Sequence, residues 1–182
     1  MATSSGSEFF DAWKRVCSHR KDTLLALWDR RPNYTSEIFY IENSVVAELA
    51  SGFPLQAYCD YYSLDAIFFE KADRVHCCPL GQTWVQNVRV AFEHEHSFRS
   101  GLFKEVSHLC ITRAELRVLV TYPEGNPLEA ELEALARIIS EANLPESETS
   151  FLIITGARIE SDTDIEWSAH TYEARRFIEL KQ

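Results

Sequence analysis

No apolar run in this chain approaches the roughly 20 residues that a bilayer-spanning helix needs. Its first residues also lack the basic-then-apolar order of a secretory signal, so the expectation is a cytoplasmic protein with no membrane partner. Glycine is scarce, at six residues among 182. No Gly-x-Ser-x-Gly, P-loop or Rossmann fingerprint occurs, which leaves serine hydrolase, NTPase and dehydrogenase chemistry without local support. No repeat, linker or low-complexity tract is visible. The five cysteines, Cys17, Cys59, Cys77, Cys78 and Cys110, are odd in number and scattered. They fit neither a disulfide framework nor a zinc ribbon and read as reduced thiols. Positive charge is in deficit: 18 basic against 28 acidic residues give a net charge of -10. That balance opposes long-range attraction to a phosphate backbone, so any nucleic acid must meet a local basic patch or a neutralising metal.

What is present points to a folded protein. Hydrophobic residues at 46%, charged at 25% and aromatic at 12% are the proportions of a chain that can bury a core. Its length suits one ordinary domain rather than two, so residues 1–182 are expected to form a single unit. Apolar residues from Phe9 to Trp28 recur at helical spacing with a break near His19, and Arg30, Arg31 and Pro32 are expected to end that helix. A second helix is predicted from Thr35 or Ser36 to Gly52. Three β-rich runs follow, over Leu55–Tyr62, Leu64–Glu70 and Trp84–Glu95, with a turn or insertion from Asp73 to Gln82. Helical spacing returns over Phe98–Thr112, then an apolar central strand over Glu115–Tyr122. Pro127–Ala142 reads as a helix, Phe151–Thr155 as a buried strand and Ile165–Tyr172 as an edge strand, with a short helix carrying Arg175 and Arg176 after it. The fold class is therefore α/β, a sandwich around a central mixed sheet.

Two strings carry candidate chemistry: Asp65 at the head of an apolar strand, and Glu93-His94-Glu95-His96 at the end of another. Side chains alternate faces along a strand, so Glu93 and Glu95 share one face while His94 and His96 take the other. Beside Asp65 they would make a pocket of hard oxygen ligands, suited to Mg²⁺ or Mn²⁺ rather than zinc. The plainer reading is the solvated side of an edge strand. Glu42 falls on the stripe of Ile38, Val45 and Leu49, where an unpaired carboxylate is expensive; it completes the acidic site, or it reaches solvent or an arginine. Asp60 rivals Asp65, and Lys104 and His108 sit where a helix could present them to phosphate.

An acidic residue on one strand, Glu-x-Glu on the next, then a helix and a Val/Leu-rich strand resembles the PD-(D/E)XK, or restriction-endonuclease-like, nuclease superfamily. The resemblance covers residues 36–122 and implies a core in the order α-β-β-β-α-β. It implies metal ligation by Asp65 and Glu93, with Glu95 standing where most members carry lysine and Glu42 as the accessory acid. It further implies a divalent-metal-dependent endonuclease using Mg²⁺ or Mn²⁺, a nucleic-acid partner, DNA in the first instance, and pairing as a homodimer. The missing lysine and the net charge favour the alternative, a nuclease-like fold that binds or regulates without turnover. A weaker reading is an acidic module docking a basic partner through the Glu129–Glu141 helix.

Overall fold

A computed structural model describes residues 5–77, 81–98, 102–123, 127–144, 150–159, 161 and 163–181. Four helices come first: α1 (Gly6–His19), α2 (Lys21–Leu27), α3 (Arg31–Phe39) and α4 (Val45–Gly52). Then follow β1 (Gln56–Tyr61), β2 (Leu64–Phe69), β3 (Val88–Glu95), α5 (Leu102–Ile111), β4 (Ala114–Thr121), α6 (Leu128–Glu141), β5 (Phe151–Arg158), β6 (Ile165–Glu173) and β7 (Arg176–Glu179). All seven strands form one sheet in sequence order, with β4 at its centre. β3, β4 and β5 run parallel; the remaining neighbours are antiparallel. The architecture is α/β with a mixed sheet, as expected.

The N-terminal half departs from the sequence reading at two places and agrees at a third. The break near His19 is real, and Ser5 with Glu8 closes a reciprocal capping box at the head of α1. Arg31 and Pro32, expected to end a helix, instead open α3, because a proline in the first turn forfeits only an amide that has no helical partner anyway. The single helix predicted from Thr35 or Ser36 to Gly52 is two. Asn43 adopts a left-handed φ of 59° and Ser44 starts α4 as N-cap, its hydroxyl accepting from Ala47 N at 3.3 Å. At the other end, the short helix expected around Arg175 and Arg176 is a β-hairpin. Ala174 and Arg175 both take positive φ, which matches the tight turns that join antiparallel strands. β6 therefore lies inside β7 and is not the edge. Cys78, in the predicted turn, lies outside the described residues.

Strand alternation divides the core into two layers. Ala66, Phe68, Val90 and Phe92 point to the side covered by α1–α4, where Phe9, Trp13, Tyr34 and Ile38 are fully buried. Ile67, Phe69, Ala91 and Leu119 point to the opposite side, onto Leu102, Val106 and Leu109 of α5 and Leu135 and Ile139 of α6. Each fully buried ring or aliphatic chain in these layers contributes on the order of 1.5–3 kcal/mol. Gly156 is required by contact: a Cβ there would lie 2.6 Å from the Trp167 ring and 3.0 Å from Tyr122. Arg117, in the apolar strand β4, is wholly buried. It donates to the carbonyls of Leu109, Thr112 and Ala114 at 2.8–3.0 Å, satisfying the C-terminal end of α5 and holding that helix at a fixed height over β3.

Candidate metal centre

The register that sets Ala66 against Phe92 brings Asp65 beside Glu93 on the α5 face of the sheet. Two hydrogen bonds lock them together: Asp65 N donates to Glu93 Oε2 at 3.2 Å, and His94 N donates to Asp65 Oδ2 at 2.8 Å. Glu93 is fully buried; Asp65 is half-buried. From above, α5 lowers Glu105 and His108 onto them. His108 Nδ1 lies 3.3 Å from Glu93 Oε1 and 3.4 Å from Glu105 Oε2. A ligand atom from each of Glu93, Glu105 and His108 falls within 4.8 Å of the other two. An ion with bonds of about 2.0–2.2 Å holds its ligands roughly 3–4 Å apart, so these three side chains could hold one after small adjustment.

Electrostatics follow from the burial. Glu93's carboxyl is held far above its ordinary range, first by loss of water and then by the charges of Asp65 and Glu105. Burial also raises Asp65, with Glu105 and Glu95 adding to the shift and the His94 N–H opposing it. Among the described residues no lysine or arginine contacts either carboxylate, and the one imidazole described against Glu93 is that of His108.

The other predicted residues fall as follows. Glu95 lies on the same face as Glu93, near enough to raise Asp65, yet its carboxylate turns back to accept from Ser97 N. Glu42 is exposed in the α3–α4 turn, because the helix whose stripe would have carried it is interrupted there; no described contact joins it to the acidic group. Asp60 accepts from the Tyr40 hydroxyl at 3.0 Å. Lys104 is exposed, its ammonium 3.6 Å from Glu105. His94 and His96 face the other layer, as expected, and stack among Tyr34 and Tyr122. Burial lowers both imidazoles, His96 to about 4, so they pack as neutral rings.

Sequence reasoning missed Glu105. The signal was Glu105-Val106-Ser107-His108: residues three apart share a helix face, and this helix directly follows the Glu93 strand. Family models, curated proteins and solved structures contain no match to this chain. Among the described residues no helix is long and apolar enough to cross a membrane.

Proposed function

We propose that this protein is a divalent-metal-dependent phosphodiesterase of the PD-(D/E)XK type that hydrolyses nucleic acid. The observation that carries the reading is Glu93: a wholly buried carboxylate, surrounded by two more carboxylates and an imidazole, with no described basic side chain against it. Such a group costs stability and serves a site. The succession α4-β1-β2-β3-α5-β4 supports the family comparison, as does the pairing of Asp65 with Glu93 across β2 and β3.

In this reading Glu93, Glu105 and His108 hold the ion, and Asp65, fixed by the His94 amide, faces it from the neighbouring strand. Carboxylate oxygens alone would suit Mg²⁺; an imidazole nitrogen among them shifts the preference toward Mn²⁺. A bound divalent ion would supply an activated water and offset phosphate charge. The chain's own residues contribute position: two backbone amides fix the carboxylates before substrate arrives, and Arg117 fixes the helix that brings His108.

The test is cleavage of plasmid and single-stranded DNA with Mn²⁺, with Mg²⁺ and with chelator. Metal-dependent cleavage that vanishes in Glu93→Gln supports the reading. A second reading has its own observation: Glu95, at the position where lysine would stand, is engaged by Ser97, and Lys104 is engaged by Glu105. A protein that binds Mn²⁺ and DNA without cutting would be that second case, a nuclease-like binding protein.

A further inference from the structure

A cavity of about 690 Å³ opens between α1, the α4–β1 turn, the short 3₁₀ turn Lys71–Asp73 and the start of β3. Its size is that of small-molecule sites, roughly 300–1,000 Å³. Ala12 and Val90, both buried, and Phe53 and Leu55, both half-buried, give it an apolar floor. That floor is held in place. Phe53 lies parallel to the wholly buried ring of Phe9, with centroids 5.8 Å apart, and Leu55 N donates to the Ala50 carbonyl at 2.9 Å, closing the α4–β1 turn.

The charges around the floor divide into those already engaged and those left over. Glu8 caps α1, accepting from Ser5 N at 2.8 Å, and Asp11 lies 3.0 Å from the Lys14 ammonium. Glu115 accepts from Arg89 at 2.5 Å and Glu70 is 3.6 Å from the same guanidinium, so the start of β3 supplies wall to the cavity and no spare charge. Arg15 and Lys71 remain. They are exposed on different walls, one on α1 and one on the 3₁₀ turn, and among the described residues neither side chain has an ion pair or a hydrogen bond. In a chain of net charge -10, the spare charge at this mouth is positive.

A ligand for such a cavity must answer both features. A neutral apolar molecule leaves the two cations unpaired, an apolar cation repeats their sign, and a strand of phosphates has no use for the floor while meeting the four carboxylates. We propose that this cavity binds a small organic anion with an apolar body, a fatty or aromatic carboxylate, whose acid group is held by Arg15 and Lys71 and whose body lies on Phe53, Leu55 and Val90. Guanidinium and ammonium groups both bind carboxylates through charge-assisted hydrogen bonds. The site is separate from the metal centre and does not depend on the nuclease reading. Gly52, at the rim, offers a way to plug it: a Cβ there would meet nothing within 4 Å, and the residue is the last of α4.

The test is fluorescence titration of the metal-free protein with anilinonaphthalene sulfonate, an apolar aromatic anion that brightens out of water and whose sulfonate stands in for a carboxylate. Bound dye is then displaced with decanoate, with naphthoate and with decylamine. One dye should bind per protein, and at least one of the acids should displace it at a concentration at least about tenfold below that of the amine, the worth of a charge-assisted hydrogen bond. Displacement by decanoate alone supports a fatty ligand, and by naphthoate alone an aromatic one. Arg15→Gln combined with Lys71→Gln should weaken dye binding by about tenfold, and Gly52→Trp should abolish it. The first pair alters exposed side chains and the second adds a ring to open space, so both proteins should melt at the wild-type temperature. No dye binding, displacement by the amine as readily as by both acids, or an unchanged dye affinity in either variant overturns the site. Glu93→Gln should bind the dye as wild type does, so failure of this cavity and failure of the metal centre are read separately.

Discussion

Strand β3 gathers carboxylates at both of its ends, and the two groups are balanced in opposite ways. At its start, Arg89 donates to Asp73 at 2.8 and 2.9 Å and to Glu115 at 2.5 Å, with Glu70 3.6 Å away and Asn87 adding a hydrogen bond to Asp73. At its end, Glu93 meets Asp65, Glu105 and a single imidazole. The consequence is visible in the acids themselves. Asp73's carboxyl sits below its ordinary range, where hydrogen bonds from Arg89 and Asn87 outweigh its desolvation, whereas Glu93's sits far above. Two carboxylates of similar exposure, one at each end of the same strand, shift in opposite directions. Among the described residues, Asp73's charge is compensated by the chain's own Arg89, whereas Glu93 has no lysine or arginine against it and is held toward its protonated form.

The sharpest way to break the comparison is to remove a charge from each end. Arg89→Met leaves Asp73, 3% exposed, without its cation, and should destabilise by about 3–5 kcal/mol in urea unfolding, the usual effect of stripping one partner from a buried pair. Glu93→Gln removes an acid that the folded state must keep protonated, and should leave the metal-free protein as stable as wild type at neutral pH, or more so. If both substitutions destabilise alike, the two ends are not different in kind.

Next in size is the metal itself. An ion that binds only the folded protein raises its stability by about 2.7 kcal/mol at a hundredfold excess over Kd. Mn²⁺ should therefore raise the melting temperature of wild type, and should raise that of Glu105→Gln and His108→Ala much less. An unchanged Mn²⁺ response in Glu105→Gln would confine the site to the residues visible in the strands.

That residue also marks how far the sequence could be read. Strand alternation was enough to put Glu93 and Glu95 together and His94 and His96 opposite, because period two is set by the backbone alone. The order of the central elements was legible for the same reason: Val- and Leu-rich runs and helical stripes differ in period. Glu105 was not, since its role depends on how α5 sits over β3, and that height is set by Arg117, a buried cation that local pattern reads as a blemish in an apolar strand. Glu95's turn onto Ser97 and the break at Asn43 are likewise backbone matters, decided by one hydrogen bond or one φ angle.

The two ends should also separate along the pH axis. Asp73's folded pKa is depressed, so its contribution is present above the ordinary carboxylate range and is lost as pH falls through that range. Glu93's is raised, so between its unfolded and folded values the folded state holds the extra proton, and metal-free stability falls as pH rises, by at most about 1.4 kcal/mol per pH unit. Urea titrations across pH should show Arg89→Met flattening the acid limb and Glu93→Gln flattening the limb above it. Mn²⁺ must displace the Glu93 proton, so its affinity should strengthen as pH rises, with protons released on binding.

The smallest expected effect belongs to Glu42, and it tests where the site stops. Glu42 is exposed between Ile41 and Asn43, and the helices on either side of it, α3 and α4, pack on the layer facing away from α5. Its carboxylate has no described partner, whereas the turn around it is held by other groups: Arg20 donates to the Asn43 carbonyl and Ser44 caps α4. Glu42→Gln removes a charge without touching either, so unfolding free energy should change by less than about 0.5 kcal/mol, the ordinary range for a surface position. The Mn²⁺-induced rise in melting temperature should equal that of wild type. If it falls instead, the acidic group reaches past the sheet edge to the α3–α4 turn, and the division of β3 into one structural end and one functional end must include a residue from the opposite layer.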